Sequence, residues 1–217
     1  MSPRSIGLSD ELNSYVVDHS SPPSEVQQRL IDTTAAMPMA MMQIAPEQGE
    51  FMAALVALTQ PSLIVEVGTF TGYSALSMAG ALPDGARIIC CDVSEEWTSI
   101  GREHWEAAGL SDRIELRLGP AIDTLRAMPA DTVIDLAFID ADKGGYPDYY
   151  EEILGRLAPD GAILVDNTLW SGAVLDDDDD STDTVAIRDF NSMVADDPRT
   201  RQVLLPIGDG LTLIRHA

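Results

Sequence analysis

Five short runs of nearly continuous apolar residues recur along the middle of the chain. The runs are "LIVEV" at 63–67, "RIICC" at 87–91, "IELRL" at 114–118, "VIDLAFI" at 133–139 and "AILV" at 162–165. Such runs are typical of strands that are covered on both faces, as in a parallel sheet. The pattern therefore predicts five parallel strands with a layer of other structure on each side.

Helical segments separate these strands, and several have recognisable ends. Pro46 opens the helix "PEQGEFMAALVALTQ", since proline suits the first helical position. Ser94 is a candidate N-cap for the helix that follows the second strand, and Gly109 closes that helix. Two further helices, over 8–18 and 23–36, precede the first strand. The alternation indicates a doubly wound α/β fold.

The last segment, "VLLPIGDGLTLIR", has a Gly-Asp-Gly turn between two β-like runs and predicts an antiparallel hairpin. With the five parallel strands it gives a mostly parallel, seven-stranded sheet. We expect residues 1–217 to form a single domain, in which residues 1–45 are a helical N-terminal extension that contributes to the functional site.

The composition is that of an ordinary globular protein, with 45% hydrophobic and 23% charged residues among 217. The first residues contain no apolar stretch of the kind expected of a signal peptide, and no segment approaches the length of a membrane span. Cys90 and Cys91 are adjacent within an apolar run, which indicates two buried thiols rather than a disulfide framework or a zinc site. We expect a cytoplasmic protein.

The net charge of −23 narrows the possible partners. It would repel phosphate backbones, so nucleic acids and anionic membranes are poor candidates. Part of the excess comes from the run Asp176–Asp180, which we interpret as an exposed, flexible loop of mutually repelling charges.

Four acidic residues stand at or just beyond the ends of predicted strands. They are Glu66, Asp92, Asp140 and Asp166. In doubly wound sheets ligands bind in the crevice beyond the carboxyl ends of the strands, so these four carboxylates should converge on the binding edge.

The segment "VEVGTFTGYS" (65–74) combines a strand, a glycine turn and a helix start, which favours a nucleotide-like ligand. The dinucleotide pattern G-x-G-x-x-G is absent, because Gly68 and Gly72 are four apart. A carboxylate at Glu66 would oppose a pyrophosphate, whereas it suits a ligand with an ammonium and a sulfonium. S-adenosylmethionine fits these charges, and Asp92 is placed to hold its ribose hydroxyls.

Asp140, Asp166 and Asn167 form a candidate metal site. If the fourth and fifth strands are neighbours, both carboxylates can reach one ion. Two carboxylates and an amide oxygen suit Mg²⁺ or Ca²⁺ rather than zinc. The alternative is that Asp and Asn stand at strand ends only because turns favour them.

Lys143 is the single lysine among thirteen basic residues. It could be a stray residue on a solvated loop in a chain that otherwise uses arginine. Lysine differs from arginine in that a partly desolvated amine can serve as a base. Its place three residues after Asp140 favours the chemical interpretation.

Taken together, "PEQGEF", "VEVGTFTGYSAL", "GPAIDTL", "FIDADKGGYPDYYE", "VDNTLWSG" and "DPRTRQVLLPIGDGLTLIR" resemble the cation-dependent class I S-adenosylmethionine O-methyltransferases, the family of catechol and caffeoyl-CoA methyltransferases. The resemblance implies a Rossmann-like class I methyltransferase fold, commonly dimeric, with Mg²⁺, or another divalent cation such as Ca²⁺ or Mn²⁺, held by Asp140, Asp166 and Asn167. It implies that Lys143 is the catalytic base. The implied cofactor contacts are Met42, Glu66, Gly68, Thr69, Ser74, Asp92, Val93, Ala121, Asp140, Asp142 and Tyr149.

The expected substrate is a small catechol-like phenol, methylated on one of two vicinal hydroxyls and contacted by Lys143, Trp170 and Ser171. CoA esters are disfavoured, because the segment after "LWSGAV" is acidic and few basic residues precede the cofactor motif. A caffeoyl-CoA-type ester and a protein or nucleic-acid substrate remain alternatives. A non-catalytic binding module is a third, against which the full set of ligands and base argues.

Overall fold

The structure, a computed structural model, describes residues 7–217. Residues 1–6 of the predicted N-terminal extension lie outside the described residues. The helices of the described part are α1 (Asp10–Asp18), α2 (Glu25–Ala35), α3 (Pro46–Thr59), α4 (Tyr73–Gly80), α5 (Glu95–Ala107), α6 (Ala121–Ala127), α7 (Tyr146–Leu154) and α8 (Thr182–Asp196). Its strands are β1 (Leu63–Val67), β2 (Arg87–Asp92), β3 (Ile114–Leu118), β4 (Ile134–Ile139), β5 (Leu157–Val165), β6 (Thr200–Leu205) and β7 (Leu211–His216).

The strands form one sheet in the order β3-β2-β1-β4-β5-β7-β6. The first five strands pair in parallel, and β7 runs antiparallel to both β5 and β6. This arrangement confirms the predicted mostly parallel, seven-stranded sheet with a C-terminal antiparallel hairpin.

Strand β5 starts earlier than its apolar pattern indicated. It pairs with β4 from Leu157, and the register then shifts so that Leu136 faces Ala162. The residues between, which include Pro159 and Gly161, break the apolar run and form the irregularity. Helix α7 ends at Leu154, three residues before β5 begins at Leu157.

The sheet separates two apolar layers. Val65 and Val67 pack into a core with α6, α7 and α8, whereas Ile64 packs into a core with α2, α3, α4 and α5. Successive side chains of a strand point to opposite faces, which explains the division. Cys90 and Cys91 follow the same rule, and both are buried free thiols as predicted.

The order of the strands reverses between β1 and β4, and this reversal opens the crevice at their carboxyl ends. Gly68, directly after β1, has a φ of +87°. A Cβ there would lie 1.9 Å from the Asp140 carbonyl oxygen. Only glycine therefore lets the two strand ends approach closely enough to form the floor of the crevice.

The helices predicted before the first strand are present as α1 and α2. Ser24 and Gln27 form a capping box at the start of α2. The Thr34 hydroxyl donates to the Thr71 hydroxyl at 2.9 Å, which joins α2 to the loop after β1. Within residues 7–217 no helix is both long and apolar enough to cross a membrane.

Candidate active site

The parallel register brings the predicted acidic residues to one edge of the sheet. Val67 pairs with Cys91 on one side and Ile139 on the other, and Ile139 pairs with Val165. The residues that follow these positions therefore emerge side by side. They include Asp92, Asp140 and Asp166, while Glu66 lies one residue before the end of β1.

Lys143 lies at this edge in a 3₁₀ turn and is 8% exposed. Its Nζ forms an ion pair with Asp140 Oδ1 at 3.2 Å and donates to Asn167 Oδ1 at 2.5 Å. It also donates to the Tyr146 hydroxyl at 2.6 Å and lies 5.5 Å from the centre of the Trp170 ring. The single lysine of the chain is thus a buried, oriented group and not a stray surface charge.

Asp166 is 2% exposed, and both of its carboxylate oxygens accept hydrogen bonds. The Asn167 backbone N–H donates to Oδ1 at 2.8 Å, and Gln48 Nε2 donates to Oδ2 at 2.9 Å. Gln48, which lies in the first turn of α3, is 1% exposed. Gln48 was not among the predicted site residues, although it lies within the motif "PEQGEF" that carried the family resemblance.

Burial disfavours the charged forms of the two neighbouring aspartates, Asp140 and Asp166. It raises the pKa of Asp166 to about 7, helped by the charge of Asp140 and opposed by the hydrogen bonds from Asn167 and Gln48. Burial also raises the pKa of Asp140, an effect that Lys143 counteracts. Two neighbouring carboxylates with one ammonium, which pairs with Asp140, hold an excess of negative charge that a bound cation would neutralise.

The donor set fits a hard divalent cation. Asp140, Asp166 and Asn167 can offer two carboxylates and an amide oxygen, the chemistry that Mg²⁺ and Ca²⁺ prefer. Across residues 7–217 no group of three or more His, Cys, Asp or Glu residues is arranged around a common point. A cation here would therefore need the amide oxygen of Asn167, which now accepts from Lys143.

Glu66 is completely buried and accepts a hydrogen bond from the Ser74 hydroxyl at 2.6 Å. Its burial raises its pKa to about 7, against the effect of the Ser74 hydrogen bond. Glu66 Oε2 and Thr69 Oγ1 have no hydrogen-bond partner in the part of the chain that the structure describes. Unpaired buried acceptors of this kind suit a polar ligand that donates to them.

Asp92 organises the loop that follows β1. Its Oδ2 accepts from the backbone N–H groups of Thr69 at 2.9 Å and Phe70 at 2.8 Å, and its Oδ1 accepts from Ser94 at 2.8 Å. Its position at the end of β2 predicted a contact with ribose hydroxyls, and a carboxylate with three N–H partners still has lone pairs for that role. The neighbouring Val93 is 74% exposed.

Asp142 lies two residues after Asp140 and directly precedes the 3₁₀ turn that begins at Lys143. Its Oδ1 accepts a hydrogen bond from the Tyr149 hydroxyl at 2.7 Å, so two predicted cofactor contacts are joined to each other. Ala121, at the first position of α6, is 7% exposed, whereas Met42 in a 3₁₀ turn is 40% exposed. The structure therefore brings some of the predicted cofactor residues into direct contact and leaves Met42 and Val93 open to solvent.

The predicted substrate residues follow the metal ligands along the chain. Asn167, Trp170 and Ser171 have positive φ values of 58°, 47° and 50°. Non-glycine residues rarely adopt this conformation, and where they do they are often at functional sites.

A family model described as "O-methyltransferase" matches residues 17–217. This chain belongs to the O-methyltransferase family. It is 37% identical over 225 residues to caffeoyl-CoA O-methyltransferase 2 of Petunia hybrida, with 98% of this chain and 93% of the relative covered.

Solved structures agree with this assignment. An O-methyltransferase from Bacillus cereus in complex with SAH has a TM-score of 0.87 and 30% identity over 95% of this chain and 97% of its own. A SAH-bound methyltransferase from Podospora anserina has a TM-score of 0.89 and 28% identity, and each chain is covered to 99%. The class I methyltransferase fold is confirmed, and the protein is an S-adenosylmethionine-dependent O-methyltransferase.

Proposed function

We propose that this O-methyltransferase methylates one of two vicinal hydroxyls of a small catechol-like phenol and that it requires Mg²⁺ or a similar divalent cation. The observation that carries the proposal is the convergence around Lys143. Its Nζ lies within 3.2 Å of oxygens of both Asp140 and Asn167, beneath the ring of Trp170. A base, a hard oxygen set and an aromatic wall therefore share one small space.

Lys143 is the proposed base. In its neutral form the amine takes the proton of the attacking hydroxyl, a new O–CH₃ bond forms, and the bond between that methyl carbon and the sulfonium sulfur breaks. The thioether leaves uncharged, and the proton remains on Lys143. Tyr146 and Asn167 hold the amine in place, so most of the gain comes from orientation.

Asp140, Asp166 and Asn167 would hold the cation. When bound, a divalent cation supplies Lewis-acid chemistry that favours the ionised form of a coordinated hydroxyl. Gln48 would support cation binding without being a ligand itself, because its amide donates to Asp166 and fixes the orientation of that carboxylate.

The cofactor would lie along the ends of β1 and β2. Glu66 and Thr69 offer unpaired buried oxygens. Asp92 would hold the ribose hydroxyls, and Asp142 would hold the methionyl ammonium. Tyr149 fixes the Asp142 carboxylate through its hydroxyl. A negative lining of this kind suits a cofactor with two positive charges.

A caffeoyl-CoA-type ester is the second candidate, because the relative from Petunia hybrida carries that name. The acidic run argues against it for this chain. Asp176, Asp177, Asp178 and Asp180 are exposed and follow Trp170 closely in the sequence, and their charges would repel the phosphates of a CoA tail. The free phenol is therefore the preferred substrate.

The test is a methyl-transfer assay with catechol and with the CoA ester of a vicinal diphenolic acid. We expect turnover of catechol that is lost in excess EDTA and restored by Mg²⁺, with a lower kcat/KM for the CoA ester. Full activity in EDTA would contradict the metal requirement, and a higher kcat/KM for the CoA ester would reverse the substrate assignment.

A protein or nucleic-acid substrate is disfavoured by the net charge of −23. The same charge disfavours anionic membranes as partners. Family resemblance leads us to expect a homodimer in the cytoplasm. Sedimentation of the full chain measures the oligomeric state, and a monomer at micromolar concentration would contradict that expectation.

A further inference from the structure

The segment that carries Trp170 adopts an unusual backbone conformation. Among residues 7–217, five non-glycine residues have a positive φ, and three of them are Asn167, Trp170 and Ser171. Gly172 continues the left-handed stretch with a φ of 86°. Isolated residues tolerate this conformation poorly, so contacts from elsewhere must hold the segment.

The turn between β6 and β7 provides those contacts at the start of the segment. The Thr168 N–H donates to the Gly210 carbonyl at 3.0 Å, and the Leu169 N–H donates to the Asp209 carbonyl at 3.0 Å. The Ser171 N–H donates to the Asp209 side chain through Oδ1. Asp209 is thus the one side chain of the turn that bonds within the left-handed stretch itself.

Arg188 on α8 holds the other end of the same segment. Its guanidinium donates to the carbonyl oxygens of Ala173 and Asp179 at 2.9 Å and of Val174 at 3.1 Å. The segment is therefore held at both ends. Between them the Trp170 and Gly172 N–H groups donate to the Asn167 and Leu169 carbonyls of the segment itself, and the Ser171 N–H donates to the Asp209 side chain.

Asp209 offers a carboxylate oxygen to the Ser171 N–H, whereas a serine or an asparagine at this position would offer a neutral acceptor. A hydrogen bond to a charged acceptor is stronger, which matters where the backbone is strained.

We infer that Asp209 is a positioning residue for the phenolic substrate, because its carboxylate holds Ser171 in the left-handed conformation that sets Trp170 over Lys143. The inference rests on the proposed function in taking Trp170 as the wall of the phenol site. Asp209 touches neither substrate nor cofactor in this scheme and acts through the Trp170 segment. Losing it should therefore weaken substrate binding and leave cofactor binding intact.

The experiment compares Asp209→Ala with Asp209→Asn in the full-length enzyme. The asparagine keeps an oxygen acceptor of the same length, whereas alanine removes it. For catechol we expect KM to rise about 10-fold or more in Asp209→Ala, the effect of losing a hydrogen bond to a charged group. We expect kcat to change less than KM, Asp209→Asn to restore most of the binding, and the Kd for S-adenosylmethionine to stay the same in both variants.

Amide hydrogen exchange supplies a readout that needs no substrate. The Ser171 N–H should exchange about 10-fold faster in Asp209→Ala than in Asp209→Asn, while Thr168, which bonds to the backbone of Gly210, should change less. An unchanged KM for catechol, or unchanged exchange at Ser171, would overturn the inference. Equal loss of cofactor binding in both variants would also overturn it, because it would indicate a general structural role. If the wild type does not methylate catechol, the proposed function fails, and the exchange experiment still decides the role of Asp209.

Discussion

Replacing Glu66 by glutamine should stabilise the free protein more at pH 8 than at pH 5. Glu66 is fully buried, and its pKa is raised to about 7 from an ordinary value of 4.5. Between those two values the unfolded chain loses a proton that the folded protein keeps. The native carboxyl therefore adds nothing below about pH 4.5, and it destabilises the fold progressively as the pH rises towards 7.

The size of the effect follows from the shift. A difference of about 2.5 pKa units corresponds to about 3 kcal/mol at pH 8, and to about 1 kcal/mol at pH 5. Glutamine removes this term, but its amide group would stand where Glu66 Oε2 has no partner among the described residues. That loss is independent of pH. The quantity to compare is therefore the change in the free energy of unfolding caused by the substitution, which should be about 2 kcal/mol more favourable to the variant at pH 8 than at pH 5.

The measurement is urea unfolding of wild type and Glu66→Gln without cofactor at both pH values. The control is Glu103→Gln, which makes the same chemical change at an exposed position of α5. Expressed as melting temperature, the variant's gain over wild type should be about 4–8 °C larger at pH 8 than at pH 5 for a chain of this size. An equal effect of Glu66→Gln at both pH values, or a larger gain at pH 5, would refute the reasoning.

Three further changes test the rest of the site. Lys143→Arg keeps the charge but cannot supply a neutral base, so kcat for catechol should fall by about 10²–10⁴ with the Kd for S-adenosylmethionine unchanged, and a near wild-type kcat would exclude the general-base role. Gln48→Met removes the donor to Asp166 with little change in size, so calorimetry should show Mg²⁺ binding weakened by about 10–100-fold, and unchanged affinity would contradict its supporting role. Asp92→Asn weakens an acceptor of three loop N–H groups, so the Kd for S-adenosylmethionine should rise about 10-fold while Mg²⁺ affinity stays within error, and an unchanged Kd would count against this residue.

The sequence predicted the sheet edge well because strand ends obey a simple geometric rule. Apolar runs located the strands, and parallel neighbours end at the same edge, so the sequence alone predicted that Asp140 and Asp166 lie side by side. The early start of β5 escaped prediction, because Pro159 and Gly161 interrupt the apolar pattern without ending the pairing.

Contacts between distant side chains could not be predicted in this way. Gln48 reaches Asp166 across 118 positions of sequence, and Asp209 reaches Ser171 across 38. Both depend on how α3 and the β6–β7 turn pack against the edge, which no local pattern encodes. A contact of the same kind involves the acidic run, which the sequence predicted to be flexible. Arg188 donates to backbone carbonyls within this run and just before it.

The solitary lysine gives this enzyme an unusual spectroscopic property. Protein grown with isotope-labelled lysine would carry label at one position only, and that position is the amine between Asp140, Tyr146 and Asn167. A single resonance would then report on the amine without assignment or mutation. Its response to added Mg²⁺, S-adenosylmethionine or a phenol would follow each ligand's arrival from within the catalytic crevice itself.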